Sequence, residues 1–272
     1  GEHRNELPPR IFRDGAAAMR SVRDGVSARK AWFCKDSTMV CLGADIGSHS
    51  RHPVITSINQ CLLKSDVHIG TPDGPTPFLY TDRVFGGLPW VHHDGIGYLL
   101  LQQMAVDVRR EPQWGAWKDI NGNASSDRVL RDVFSLWVEH GTGPLDAHYA
   151  YAVSMGLDVE QTSALSANPG FEILANTSDM QSVRWQGGLT EAVFWKPGKV
   201  EISATCSVSV NLGCMLMARE TADGLRLIVS NPNQLAERVD IHVQDSGSDQ
   251  LVPVEFPKNG YAGSSVKVSV SR

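Results

Sequence analysis

In the stretch from Pro89 to Leu101, PWVHHDGIGYLLL, two histidines and an aspartate interrupt an apolar run. Residues of these types can move protons, ligate a metal or anchor a turn through hydrogen bonds. Spacing discriminates among these roles. In a strand, successive side chains project to opposite faces, so His92 and His93 neither ligate one metal nor form one acid–base pair. The favoured reading is a turn closed by Asp94-Gly95, with hydrogen-bonded imidazoles beside it. The alternative puts one imidazole, together with Trp90, against a sugar or another domain. On that reading Trp90, His92 and His93 are the candidate substrate-binding residues.

The remaining polar candidates read similarly. His140 precedes Gly-Thr-Gly-Pro, so it stands at a strand end as a satisfied structural imidazole. Tyr149 and Tyr151 alternate with His148, Ala150 and Ala152 and share a face, where core packing is favoured over stacking on a sugar ring. Asn121-Gly122-Asn123 is a turn, and Asn123-Ala124-Ser125 and Asn176-Thr177-Ser178 match the glycan acceptor pattern. No GxSxG, P-loop, HExxH or dinucleotide fingerprint is present. The five cysteines show no CxxC pair and no zinc-ligand spacing, and their odd number leaves at least one thiol unpaired. They are expected to act as small buried hydrophobes. No catalytic residue, metal ligand or cofactor is assigned.

The elements that must position these residues are short. With 272 residues, 42% of them hydrophobic, the chain can bury a substantial core. Its 25 Gly and 14 Pro are spread throughout, which favours an all-β class. KAWFCKDSTMVCLGADI reads as a hairpin turning at Asp36-Ser37, with Trp32 opposite Cys41 and Phe33 opposite Val40. An apolar pair on each face implies a strand inside a stack of sheets. VLRDVFSLWV also fits a helical face, but its alternating neighbours make it a strand. GAAAMRSV contains good helix formers, yet it is short and runs directly into strands, and is read as one. Beyond Trp195 the strands become shorter and regularly spaced. The expected division is therefore residues 1–195, a large β domain, and residues 196–272, a small β-sandwich.

The formal charge is −5, and residues 1–30 carry seven Lys/Arg against four Asp/Glu, which leaves −8 for the remainder. An acidic body argues against nucleic acid as a partner. No apolar run reaches the roughly 18 to 20 residues of a membrane span. The sequence opens on Gly1 without the basic and apolar regions of a secretion signal, which implies either a processed leader or a piece of a longer chain.

Five stretches in order, KAWFCKDSTMVCLGADI, PVITSINQ, WVHHDGIGY, FSLWVEHGTGP with HYAYAV, and ILANTSDMQSV, resemble the family 8 polysaccharide lyases, which include hyaluronate, chondroitin and xanthan lyases. LIVSNPNQ followed by VDIHV resembles that family's small C-terminal sandwich. The resemblance implies a large antiparallel β-supersandwich, of the galactose-mutarotase-like type, followed by a small C-terminal β-sandwich. It also implies an N-terminal α/α toroid as the missing partner, an acidic polysaccharide as substrate, and a secreted or periplasmic location. In the family an Asn, a His, a Tyr and an Arg, carried chiefly by the toroid, perform β-elimination on uronic-acid polymers. Nothing here matches the motifs that hold them, so no catalytic role passes to His92, His93, His140, Tyr149 or Tyr151. Two alternatives stand beside this reading. One is a carbohydrate-binding or scaffolding module. The other is a mutarotase-like enzyme pairing His92 or His93 with Glu139 or Asp94.

Overall fold

The computed structural model describes residues 14–23 and 25–271. Four antiparallel sheets lie face to face, separated by three apolar cores. The first layer has the order Pro53–Leu62, Arg128–Thr142, Ala105–Ala116, Asp82–Phe85. The second has eight strands, in the order Asp14–Arg23, Val26–Lys35, Thr38–Ser48, Ala147–Met155, Ile96–Leu100, Trp90–His93, His68–Thr71, Gly74–Pro77. The third runs Phe171–Asn176, Met180–Trp185, Leu189–Phe194, Met215–Thr221, Gly224–Ser230, Val266–Ser271. The fourth runs Gly198–Glu201, Cys206–Val210, Arg238–Asp245, Ser248–Glu255. The all-β supersandwich and sandwich expected from the sequence are both present.

Strand alternation builds this stack. In the second layer Trp32 pairs with Cys41 and Phe33 with Val40, around a turn at Asp36-Ser37 in which Asp36 takes φ 53°. Cys41 faces Phe134, Leu136 and Val108 of the first layer, whereas Phe33, Val40 and Leu42 face Val183, Leu189 and Val193 of the third. Both faces are covered because the sheet is internal. The third layer then turns its other face, with Phe194, Leu216 and Leu227, toward Val208, Ile241 and Val254 of the fourth.

Both ambiguous segments are strands. Arg128–Thr142 buries Phe134, Leu136 and Val138, a period of two, against the second layer. Asp14–Arg23 pairs along its whole length with Val26–Lys35, so tertiary pairing overrides the helix preference of its alanines. A helix at Val159–Ala167 was not expected. Asp158 caps it by accepting from Gln161 N at 2.7 Å, while Gln161 Oε1 accepts from Asp158 N at 2.9 Å. The sequence places the change of texture at 195/196, and the third layer draws strands from both sides of that point: Val193, before it, pairs with Met215, after it.

Candidate functional site

The PWVHHDGIGY segment folds as a hairpin in which His93 pairs with Ile96 across Asp94-Gly95. Asp94 and Gly95 take φ 49° and 74°, the positive pair that a two-residue turn needs to match strand twist. The two imidazoles diverge. His92 Nε2 lies 2.8 Å from the Leu157 carbonyl, which can only accept, so Nε2 carries the proton. This bond ties the hairpin to the loop that leads into the helix. His93 turns the other way, against Phe134, and its Nε2 accepts from Lys64 N at 3.3 Å. Asp94 completes the anchor: its N–H donates to Ser65 Oγ at 3.0 Å and its carboxylate pairs with Lys64 Nζ at 3.4 Å.

Trp90, His92 and His93 are 3%, 8% and 1% exposed. The Trp90 indole lies directly over Gly70, where a Cβ would overlap it. Burial lowers the His93 pKa, partly opposed by Asp94. At neutral pH this ring is an uncharged part of the core. His140 bonds Thr56 Oγ1 through Nε2 at 2.8 Å, with its pKa lowered by burial and by Lys30. Tyr149 and Tyr151 share the face toward the first layer, with ring centroids 5.5 Å apart. Burial raises both phenols well above their usual range. Below them Asn59 Nδ2 donates to Tyr98 OH, and burial pushes that phenol up to about 12. Such phenols stay protonated near neutrality.

The carboxylates are engaged elsewhere. Glu139 accepts from Trp137 Nε1 at 3.0 Å in the first layer, and Asp94 pairs with Lys64. Among the described residues, no hydrogen bond joins either carboxylate to His92 or His93. Arg109 lies over Trp137 at 4.8 Å and pairs with Asp107 and Glu111, each at 3.5 Å. Asn176 donates to the carbonyls of Gly43 and Tyr149 at 3.2 and 3.0 Å, joining the third layer to the second.

Two groupings were missed in the sequence. Cross-strand register places Cys206 opposite Asp245, and with Glu220 their ligand-type atoms lie within 4.8 Å of one another. Spacing along the chain gives no sign of it. Trp114 and Trp117 are exposed beside the turn of a long hairpin, and the signal was there: two indoles within QWGAWKDINGN, three residues apart.

Stacked antiparallel layers, with the imidazoles and phenols locked into turns and cores, define a β-supersandwich module joined to a smaller sandwich. The chain belongs to polysaccharide lyase family 8: residues 13–166 match the super-sandwich domain and residues 172–240 the C-terminal beta-sandwich domain of that family. It is 30% identical to chondroitinase-AC of Pedobacter heparinus over 257 residues, covering 93% of this chain and 36% of that protein. It is 33% identical to xanthan lyase of Bacillus sp. over 224 residues, covering 77% of this chain and 24% of that one. A structure of chondroitinase AC lyase, studied as enzyme–oligosaccharide complexes, superposes with TM-score 0.86 at 30% identity, over 94% of this chain and 38% of that one. The chain thus spans between about a quarter and two fifths of the length of these relatives.

Proposed function

We propose that this chain is the β portion of a polysaccharide lyase that cleaves uronic-acid polymers of the hyaluronan, chondroitin sulfate or xanthan type by β-elimination. In that reaction a base removes the C5 proton, a polar or cationic group neutralises the uronate carboxylate, and an acid protonates the departing glycosidic oxygen. We assign those tasks to an N-terminal α/α toroid of the longer protein, and to this chain the rigid β body beside it. One observation carries the reading. Both family matches are to β domains, and relatives named for lyase activity are about three times as long. The engagement of the histidines and tyrosines within turns and cores supports placing the chemistry elsewhere. Polymers too large to enter a cell imply a secreted or periplasmic protein.

The test mixes the chain with hyaluronan, chondroitin sulfate and xanthan, and follows the ultraviolet absorbance of the C4–C5 double bond. The expected result is no product from the chain alone and product from the chain joined to its toroid. Robust turnover by the chain alone would overturn the assignment. A carbohydrate-binding module without an enzyme predicts polymer binding but no unsaturated uronate from either form.

A further inference from the structure

The hairpin formed by Ala105–Ala116 and Arg128–Thr142 ends in an open groove of about 570 Å³, lined by Trp114, Trp117, Ile120, Leu62 and Arg131 among others. Trp114 is 61% and Trp117 66% exposed, while the other five of the seven tryptophans are buried or half-buried. Large indoles held in water carry an unfavourable hydration term that a ligand would remove. The groove is also preformed. Trp117 begins a turn in which Ala116 N donates to Asp119 Oδ2 at 3.0 Å and Lys118 N to the Ser125 carbonyl at 3.0 Å. Gly115 also lines the groove, and a Cβ there would meet nothing within 4 Å, so this part of its wall is open.

Charge selects the occupant. The chain as a whole is acidic, yet among the described residues no Asp or Glu lines this groove. The neighbouring carboxylate, Asp119, is turned into the backbone. Arg131 lines the groove, and the Arg128 guanidinium lies 5.6 Å from the Trp114 ring centroid. Arg131 Nη1 donates to the Leu130 carbonyl at 2.7 Å, and neither guanidinium makes an ion pair among the described residues. Flat apolar rings beside them suit a pyranose that presents its C–H face to an indole and its carboxylate or sulfate to an arginine. We infer that this hairpin end is a binding site for acidic polysaccharide, separate from the buried His92–His93 turn. The inference rests on the reading above only for the identity of the polymer.

The test titrates the whole chain with hyaluronan, chondroitin sulfate and xanthan, using dextran as the uncharged control. It reads tryptophan fluorescence and retardation in polymer-containing native gels. Binding of at least one charged polymer is expected, weakened about tenfold or more in Trp114→Ala and in Trp117→Ala. Arg128→Gln should weaken it less and flatten its salt dependence. Both indoles are exposed, so unchanged circular dichroism should accompany the loss. Wild-type affinity in both tryptophan variants, or equal binding of dextran, would overturn the inference. So would self-association that Trp117→Ala abolishes in a chain that binds no polymer, since a second copy would then be the occupant. If the variants bind normally while the toroid-joined protein releases unsaturated uronate, the lyase reading stands and this one fails. If the indoles bind polymer while that longer protein gives no product, the lyase reading is the one that fails.

Discussion

His93 and Phe134 lie against each other between the first and second layers, ring centroids 4.6 Å apart and planes inclined by 32°. Protonating the imidazole would place a charge in that core, and burial lowers its pKa from 6.5, as it does for His140. A depressed histidine pKa means that the unfolded chain binds protons the folded chain refuses. Stability is therefore complete above about pH 6.5 and falls as pH drops below it. Urea midpoints at pH 7.5, 6.5 and 5.5 should decline in that order. The decline should be shallower in the double variant His93→Gln, His140→Gln, and an equally steep profile there would exclude these two groups as its source.

Gly43 pairs with Tyr149, whose ring occupies the space a Cβ would need. Neither can give way, since the Tyr149 ring is buried beside Tyr151 and its carbonyl is held by Asn176. Gly43→Ala should cost about 2 to 3 kcal/mol. Gly122, where a Cβ meets nothing within 4 Å, supplies the control: Gly122→Ala should stay within about 0.5 kcal/mol. Chemical denaturation compares the two, and equal midpoints would refute the steric account.

Trp185 Nε1 donates to Glu191 Oε2 at 2.7 Å inside the layer between the second and third sheets. Trp185→Phe keeps an aromatic ring but removes the donor to a buried carboxylate oxygen. A loss of about 2 to 3 kcal/mol is expected. Trp114→Phe, on the exposed hairpin end, should cost almost nothing. A Trp185→Phe midpoint at the wild-type value would show that the bond contributes little.

No disulfide joins any of the five cysteines, and Cys41, Cys206 and Cys214 are buried. Burial pushes the thiols of Cys41 and Cys214 up to about 12 and raises those of Cys34 and Cys61. A thiol reagent at pH 8 should therefore modify the native chain slowly, and Cys41 and Cys214 only after denaturant is added. Rapid labelling of either residue in the folded chain, read by peptide mass, would contradict the packing described.

Leu189–Phe194 pairs on one side with Met180–Trp185 and on the other with Met215–Thr221, beyond residue 195, and Phe194 depends on the fourth layer for its burial. A chain ending at Trp195 should be unfolded or aggregated. A well-dispersed amide spectrum from that truncated chain would show that residues up to 195 fold alone.

Much of this architecture is written locally. Alternation placed Tyr149 with Tyr151 and separated His92 from His93, and the Asp36-Ser37 turn set the register of Trp32 with Cys41. Period two is a property of the backbone, so it survives without knowledge of neighbours. The helix at Val159–Ala167 escaped because nine residues give little periodicity, and its capping pair, Asp158 with Gln161, was the legible sign.

The amino-acid sequence alone determined the strands, their turns, the side of each strand on which a residue lies, and, through five ordered motifs, the family. Only the tertiary structure decided which sheet covers which face. It placed residues 171–194 in a layer completed by strands beyond residue 195, and brought Cys206 beside Asp245 and Glu220. It left Trp114 and Trp117 in water while burying Trp90. The physical reason is that alternation assigns a side chain to a face, whereas burial depends on a second layer drawn from distant sequence.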